Sequence, residues 1–255
     1  MTVNQAPSPL VRRRLAASAL ALLTLAGCVS VISNPTTTIT GSGRTVDRQY
    51  DLAGFSSVAA GHAFHVTVIR GNDYRVTVTV DDNLVDYLDV SASGNTLRLY
   101  LTPNLNLRDV TLRAQVTMPE LGGLDLSGAC HASIAGFSSE KPLAIELSGA
   151  SSVRGDIHSG DARLSLSGAS KAELQGGAAN LRVGTSGASH ANLDHFLVKT
   201  AVAGASGASH ITVNASETIE AEASGAVTVK STPEAEPEAE PEEKVESDSE
   251  TPAAE

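Results

Sequence analysis

The tripeptide Ser-Gly-Ala occurs six times in this 255-residue chain, at Ser127-Gly128-Ala129, Ser148-Gly149-Ala150, Ser167-Gly168-Ala169, Ser186-Gly187-Ala188, Ser206-Gly207-Ala208 and Ser224-Gly225-Ala226. The steps between successive serines are 21, 19, 19, 20 and 18 residues. Constant chemistry at a near-constant period marks a repeat architecture. Each unit is too small to bury its own apolar face and stacks on its neighbours to do so.

Within a repeat the apolar residues alternate on both sides of the tripeptide. Three before each serine stand Leu124, Ile145, Leu164, Val183, Ala203 and Ala221, and one before it Leu126, Leu147, Leu166, Thr185, Ala205 and Ala223. Five after it stand Ala132, Val153, Ala172, Ala191, Ile211 and Val229. The positions between are mostly polar, such as Asp125, Glu146 and Ser165 before the turn and Ser152, Lys171 and His190 after it. Period two around a glycine reads as strand, corner, strand, and the apolar stripe of a helix is missing. The expected fold is all-β: a single-stranded parallel β-helix with about 19–20 residues per coil and strands about 4.8 Å apart.

Equivalent residues of such a stack form columns. The glycine suits a corner that needs positive φ or close approach between coils, and the alanine is expected to point inward where the corner leaves little room. The serine column, with the column three further on (Cys130, Ser151, Ser170, Ser189, Ser209, Val227), suggests hydroxyl ladders in which each group donates to the next. A binding face is the alternative for these rows. The inward columns shrink from Leu and Ile to Ala along the chain, so the last coil or two should be the least stable part of the body.

Charge is unevenly spread over the formal net −11. Residues 231–255 carry ten acids and one lysine. This Pro- and Glu-rich run has the composition of a disordered tail. The body is mildly acidic with no basic stripe, which argues against nucleic acid as a partner. Aromatics make up only 3% and Trp is absent, which counts against a carbohydrate enzyme with stacking platforms.

The first 27 residues read as an export signal: Arg12, Arg13 and Arg14, then an apolar run from Leu15 to Leu25 that is too short to span a bilayer. The run ends in Leu25-Ala26-Gly27-Cys28, which resembles the lipobox of bacterial lipoproteins. That resemblance implies cleavage before Cys28 and lipidation of its thiol and new amino group, giving a stable membrane anchor. By resemblance to the sorting rule of Gram-negative bacteria, Val29 rather than Asp after the cysteine implies the outer membrane. Residues 28–45, rich in Ser, Thr, Asn and Gly, read as a flexible tether.

Residues 46–121 lack the tripeptide but alternate as strands: Phe64, Val66 and Val68; Tyr74, Val76, Val78 and Val80; Leu97, Leu99 and Leu101; Val110, Leu112, Ala114 and Val116. Asp81 to Asp89 suits a short helical turn. We read this half as irregular first coils of the solenoid, with a separate β-sandwich cap as the alternative, and residues 122–230 as its regular part. Gly54-Phe55 with Val58, Phe64-His65-Val66-Thr67-Val68, Asn83-Leu84 and Val116-Thr117-Met118-Pro119-Glu120-Leu121, followed by serial Leu-Ser-Gly-Ala-Ser repeats, resemble the DUF2807 family. The family bears an auto-transporter adhesin, head GIN domain label. The resemblance implies export, often as a lipoprotein, and a right-handed parallel β-helix. It carries over no catalytic residues.

Candidate sites are few. His131, His190 and His210 share the column four after the serine, and His190 and His210 fall on successive coils, about 5 Å apart. Two imidazoles at that spacing suggest a weak site for zinc or copper, although Ser152 and Lys171 in the same column favour exposed bystanders. Asp125 and Glu146 are neighbours, as are Arg163 and Arg182, but no nucleophile–base pair or phosphate loop is formed. No cofactor is implied. Cys130 reads as a buried stand-in for Ser, or as a reactive or dimerising thiol. The expectation is a lipid-anchored, non-enzymatic envelope protein for adhesion, scaffolding or binding of an envelope protein or glycan. Self-association through the stack ends remains open. The alternatives are a polysaccharide-modifying β-helix and a metal-binding envelope protein.

Overall fold

The computed structural model describes residues 37–224 and 226–230, 68% of them in strands. The proposed signal, Cys28, Gly225 and the acidic tail lie outside the described residues. The body is a β-solenoid of about five turns with stacked parallel coils. No helix among the described residues is long and apolar enough to cross a membrane.

Each coil has two flanks joined at a corner. On the first flank, Ser57–Ala60 (β3 after β1, Thr37–Thr40, and β2, Thr45–Tyr50) lies parallel to Gly123–Leu126. Leu143–Leu147 and then the second halves of the long strands Ser152–Leu166, Lys171–Thr185, His190–Ala205 and His210–Ala223 follow in register. On the second flank, His65–Arg70 (β4) is followed by His131–Ser138, then the first halves of the same long strands, and finally Ala226–Lys230. Every inward residue of the alternating pattern is buried from Leu124 to Ile211, which closes one continuous core. In the last described coil Ala221 and Ala223 are exposed.

The corner repeats nearly unchanged. Gly128, Gly149, Gly168, Gly187 and Gly207 all have φ between 71° and 77°. A Cβ on Gly168 would lie 2.5 Å from the Gly149 carbonyl oxygen, and one on Gly187 2.6 Å from that of Gly168. Both left-handed backbone and close approach between coils therefore require glycine. Two expectations for the corner are corrected. The alanines of the tripeptide are exposed, and the residue after each faces inward instead: Cys130, Ser151, Ser170, Ser189 and Ser209 are all buried. The left-handed glycine turns the chain one residue further than a strand continuation would. The hydroxyls also do not form ladders with one another. Ser151, Ser170 and Ser209 donate to the carbonyls of Ser148, Ser167 and Ser206 in their own corners, at 2.7–2.8 Å. Ser148 and Ser167 reach the carbonyls of Leu126 and Leu147 in the coil below, at 3.4 Å. Backbone carbonyls freed by the turn are nearer and stronger acceptors than the next hydroxyl.

The N-terminal half belongs to the same stack, but its layers are not in chain order. Arg75–Asp81 (β5), a 3-10 turn at Asp82–Tyr87 and Leu88–Ser93 (β6) form an outer layer. Thr96–Leu101 (β7) and Leu112–Met118 (β9) are inserted between that layer and β3–β4: they pair antiparallel with β6 and β5 on one side and parallel with β3 and β4 on the other. Between them Leu105–Arg108 (β8) turns outward to pair with β1, while β2 pairs antiparallel with β5 at the edge. The tether expectation is thus corrected for residues 37–45. The buried Asp81 carboxylate accepts from the amides of Gly43 (2.9 Å) and Thr111 (2.6 Å), and Arg44 pairs with Asp82 at 2.6 Å. A buried carboxylate needs such donors, and this segment supplies one.

Candidate functional site

The corner beneath the first tripeptide is Gly61-His62-Ala63-Phe64. The amides of Ser127, Ala129 and His131 donate to Ala60, His62 and Phe64, so these residues are the tripeptide's equivalents one coil lower. His62 occupies the glycine position with φ 67°. From β7 the chain departs toward β8, so no further tripeptide corner lies below His62. Its Nδ1 instead accepts from the Leu101 amide at 3.4 Å, and its ring meets Tyr100 edge-on. Burial lowers the His62 pKa.

This register completes the histidine column. His65 pairs with His131 and with Arg113 on β9, so the outward column of the second flank runs Arg113, His65, His131, Ser152, Lys171, His190, His210. The rings of His190 and His210 stack at 5.0 Å with 13° between planes, as their repeat positions imply. Those of His65 and His131 also lie 5.0 Å apart, tilted by 47°. His65 was hidden in sequence because its corner lacks the tripeptide; the alternation of Phe64, Val66 and Val68 is the signal that could have placed it. Burial and then the neighbouring His131 and Arg113 lower the His65 pKa. For His190 the causes of the lowering are burial, His210 and Lys171, opposed by Glu173. Among the described residues no group of three or more His, Cys, Asp or Glu is arranged to hold a metal ion. The histidines supply pairs of ligands only.

On the first flank the corresponding outward column reads Arg98, Ala59, Asp125, Glu146, Ser165, Gly184, Gly204, Glu222. Burial, and then Glu146 beside it, raise the Asp125 pKa, with Arg98 opposing. Arg163 and Arg182 stack in the neighbouring column. Cys130 is fully buried, its thiol meets the Gly61 carbonyl at 3.2 Å, and burial pushes its pKa up to about 11. A thiol so protonated and enclosed is a poor nucleophile.

Stacked parallel coils with a glycine corner, capped by one reversed layer, define a capped β-solenoid. The family model described as "Putative auto-transporter adhesin, head GIN domain" (DUF2807) matches residues 54–235, and the chain belongs to that family. No curated protein matches it. Among solved structures, a "putative adhesin" from Bacteroides fragilis superposes with TM-score 0.71 at 22% identity, over 76% of this chain and 92% of that one. A "putative lipid binding protein" from Parabacteroides distasonis gives 0.57 at 17% identity, over 77% and 98%. Both likenesses establish the shared fold.

Proposed function

We propose that this protein is a non-enzymatic adhesion or binding module of the bacterial cell envelope, held to the outer membrane through lipidated Cys28. Membership of an adhesin-labelled family carries the reading. The described flanks support it: flat rows of exposed side chains, repeated coil by coil, suit an extended partner better than a small substrate. The lipobox-like Leu25-Ala26-Gly27-Cys28 behind an export signal supports the anchor.

The test labels intact and lysed cells with an antibody to residues 231–255, in wild type and Cys28→Ser. Antibody access on intact cells, together with loss of the membrane fraction in the variant, is the expected result. A tail reached only after lysis would refute surface display, and a variant still membrane-bound would refute the anchor. Weak zinc or copper binding by His190 and His210 is a second reading, favoured by their 5.0 Å ring spacing. Calorimetric titration should then lose its signal in His190→Ala; equal affinity in the variant would sink it.

A further inference from the structure

The second flank holds a trough of about 790 Å³ between the histidine column and the curled edge formed by β2 and β5. Its cationic groups are Arg113, Arg154 and Lys171, with His65 and His131 alongside. Its acids are Asp47 and Glu173. Both acids are engaged: Asp47 accepts from the Thr79 hydroxyl at 2.6 Å, and Glu173 pairs with Lys171 at 2.5 Å. Arg113 and Arg154 are exposed and form no ion pair among the described residues, although Arg154 lies close enough to Glu173 to help hold its carboxyl down. Hydroxyls of Thr67 and Ser133 stand between them, and that of Ser152 is 2.6 Å from His131 Nδ1.

Three cations against two carboxylates leave this trough with a net positive lining on a mildly acidic body. A concave surface lined by an excess of positive charge focuses the local field and draws an anion to it. Guanidinium is the side chain best shaped for carboxylate, sulfate or phosphate. Arg113 and Arg154 stand three strand spacings, about 14 Å, apart along the stack, which suits anionic groups spaced along a polymer.

We infer that this trough binds an acidic glycan, laid along the stack with its anionic groups against Arg113 and Arg154 and its hydroxyls against the serine and threonine rows. The inference rests on the binding role proposed above and names the partner class. His65 and His131 face Arg113, Arg154, Lys171, Asp47 and Glu173 across the trough. Protonation of the His65 imidazole adds positive charge where the polymer lies, so binding tightens as pH falls from 7.5 to 5.5.

The test uses the full chain in affinity electrophoresis through gels holding polygalacturonate, dextran sulfate or neutral dextran. Retention by both anionic polymers and not by dextran is expected, weakening as salt rises. Retention by only one of them would identify carboxylate or sulfate as the group recognised. The double variant Arg113→Ala, Arg154→Ala should bind about tenfold more weakly, while Arg163→Ala, Arg182→Ala on the other flank should bind as wild type. The gain at pH 5.5 should vanish in His65→Ala. All these side chains are at the surface, and unchanged circular dichroism confirms folding. Equal retention by dextran, or by the Arg113 and Arg154 variant, overturns the inference. If that variant still binds whole envelope fragments as wild type does, the adhesive role stands and the trough is not its site. If neither binds, the adhesive role fails as well.

Discussion

Gly168→Ala is the substitution that most directly tests the corner. Three costs add. The residue sits at φ 75°, where an L side chain costs about 1–2 kcal/mol. Its Cβ would stand 2.5 Å from the Gly149 oxygen and 3.1 Å from the Gly149 nitrogen, both backbone atoms that no rotamer change can move. Relieving that overlap means separating two coils, an overpacking cost of about 1–3 kcal/mol. The separation weakens the Ala169-to-Gly149 backbone hydrogen bond, now 2.7 Å, by up to about 1 kcal/mol. The total is about 2–6 kcal/mol. The control is Gly184→Ala, a glycine in mid-strand with no positive φ and no atom within 4 Å of its Cβ site. Removing its backbone freedom should leave stability unchanged or raise it by about 0.5–1 kcal/mol. Urea unfolding followed by circular dichroism gives both numbers from midpoint and slope. A Gly168→Ala cost below 1 kcal/mol, or equal costs at the two sites, would refute the account of the corner.

Ser170→Ala strands the Ser167 carbonyl, which receives the Ser170 hydroxyl at 2.7 Å, and should cost about 1–2 kcal/mol in the same assay; Ser167→Ala, whose hydroxyl bond is 3.4 Å long, should cost less. Cys130 in a Cys28→Ser chain should resist a thiol reagent at pH 8 until urea unfolds the body, because the buried thiol titrates only at about 11; prompt labelling of the folded chain would contradict its enclosure. The folded-state pKa values of His65 and His190 lie below their unfolded values, so the unfolded chain binds more protons just below pH 6.5. Stability should therefore fall as pH drops from about 7 through those lowered values, and His65→Gln with His190→Gln should flatten the dependence; a wild-type profile flat across that window counts against it. Hydrogen exchange should be fastest over residues 216–223, where the inward alanines are exposed, and uniform protection to the C-terminus would remove the expected taper.

From Leu124 to Ala205 the solenoid was legible because each coil repeats one local rule: alternation, a glycine of fixed conformation, alternation again. Leu164 and Val183 could be assigned inward, and His190 set beside His210, by counting alone. The corner itself was misread at single-residue scale. Counting cannot say how far a left-handed residue rotates the chain, so Ala169 was placed inside and Ser170 among hydroxyls, when Ser170 is the residue enclosed. Hydroxyl partners were misassigned for a related reason. The acceptors are carbonyls exposed by the turn, and a carbonyl leaves no mark in a sequence.

The N-terminal half was legible as strands but not as an order of layers, and that order creates the trough. Its strands alternate as plainly as later ones, yet β7 and β9 enter the stack below β3 and β4 although they follow them in the chain. Alternation fixes which side chains of a strand face the core and is silent on which strand lies next to it. Arg113 thus lies beside His65, 48 residues earlier in the chain, only because β9 is threaded back beneath β4. The same threading sets Leu101 and Tyr100, and not another tripeptide corner, against His62, and a histidine holds the corner that five later coils give to glycine. The stack therefore departs from its own repeat where it is capped. The capping layers, and not the repeats that make the chain recognisable, contribute Arg113, His65 and the curled edge to the trough whose cations outnumber its carboxylates.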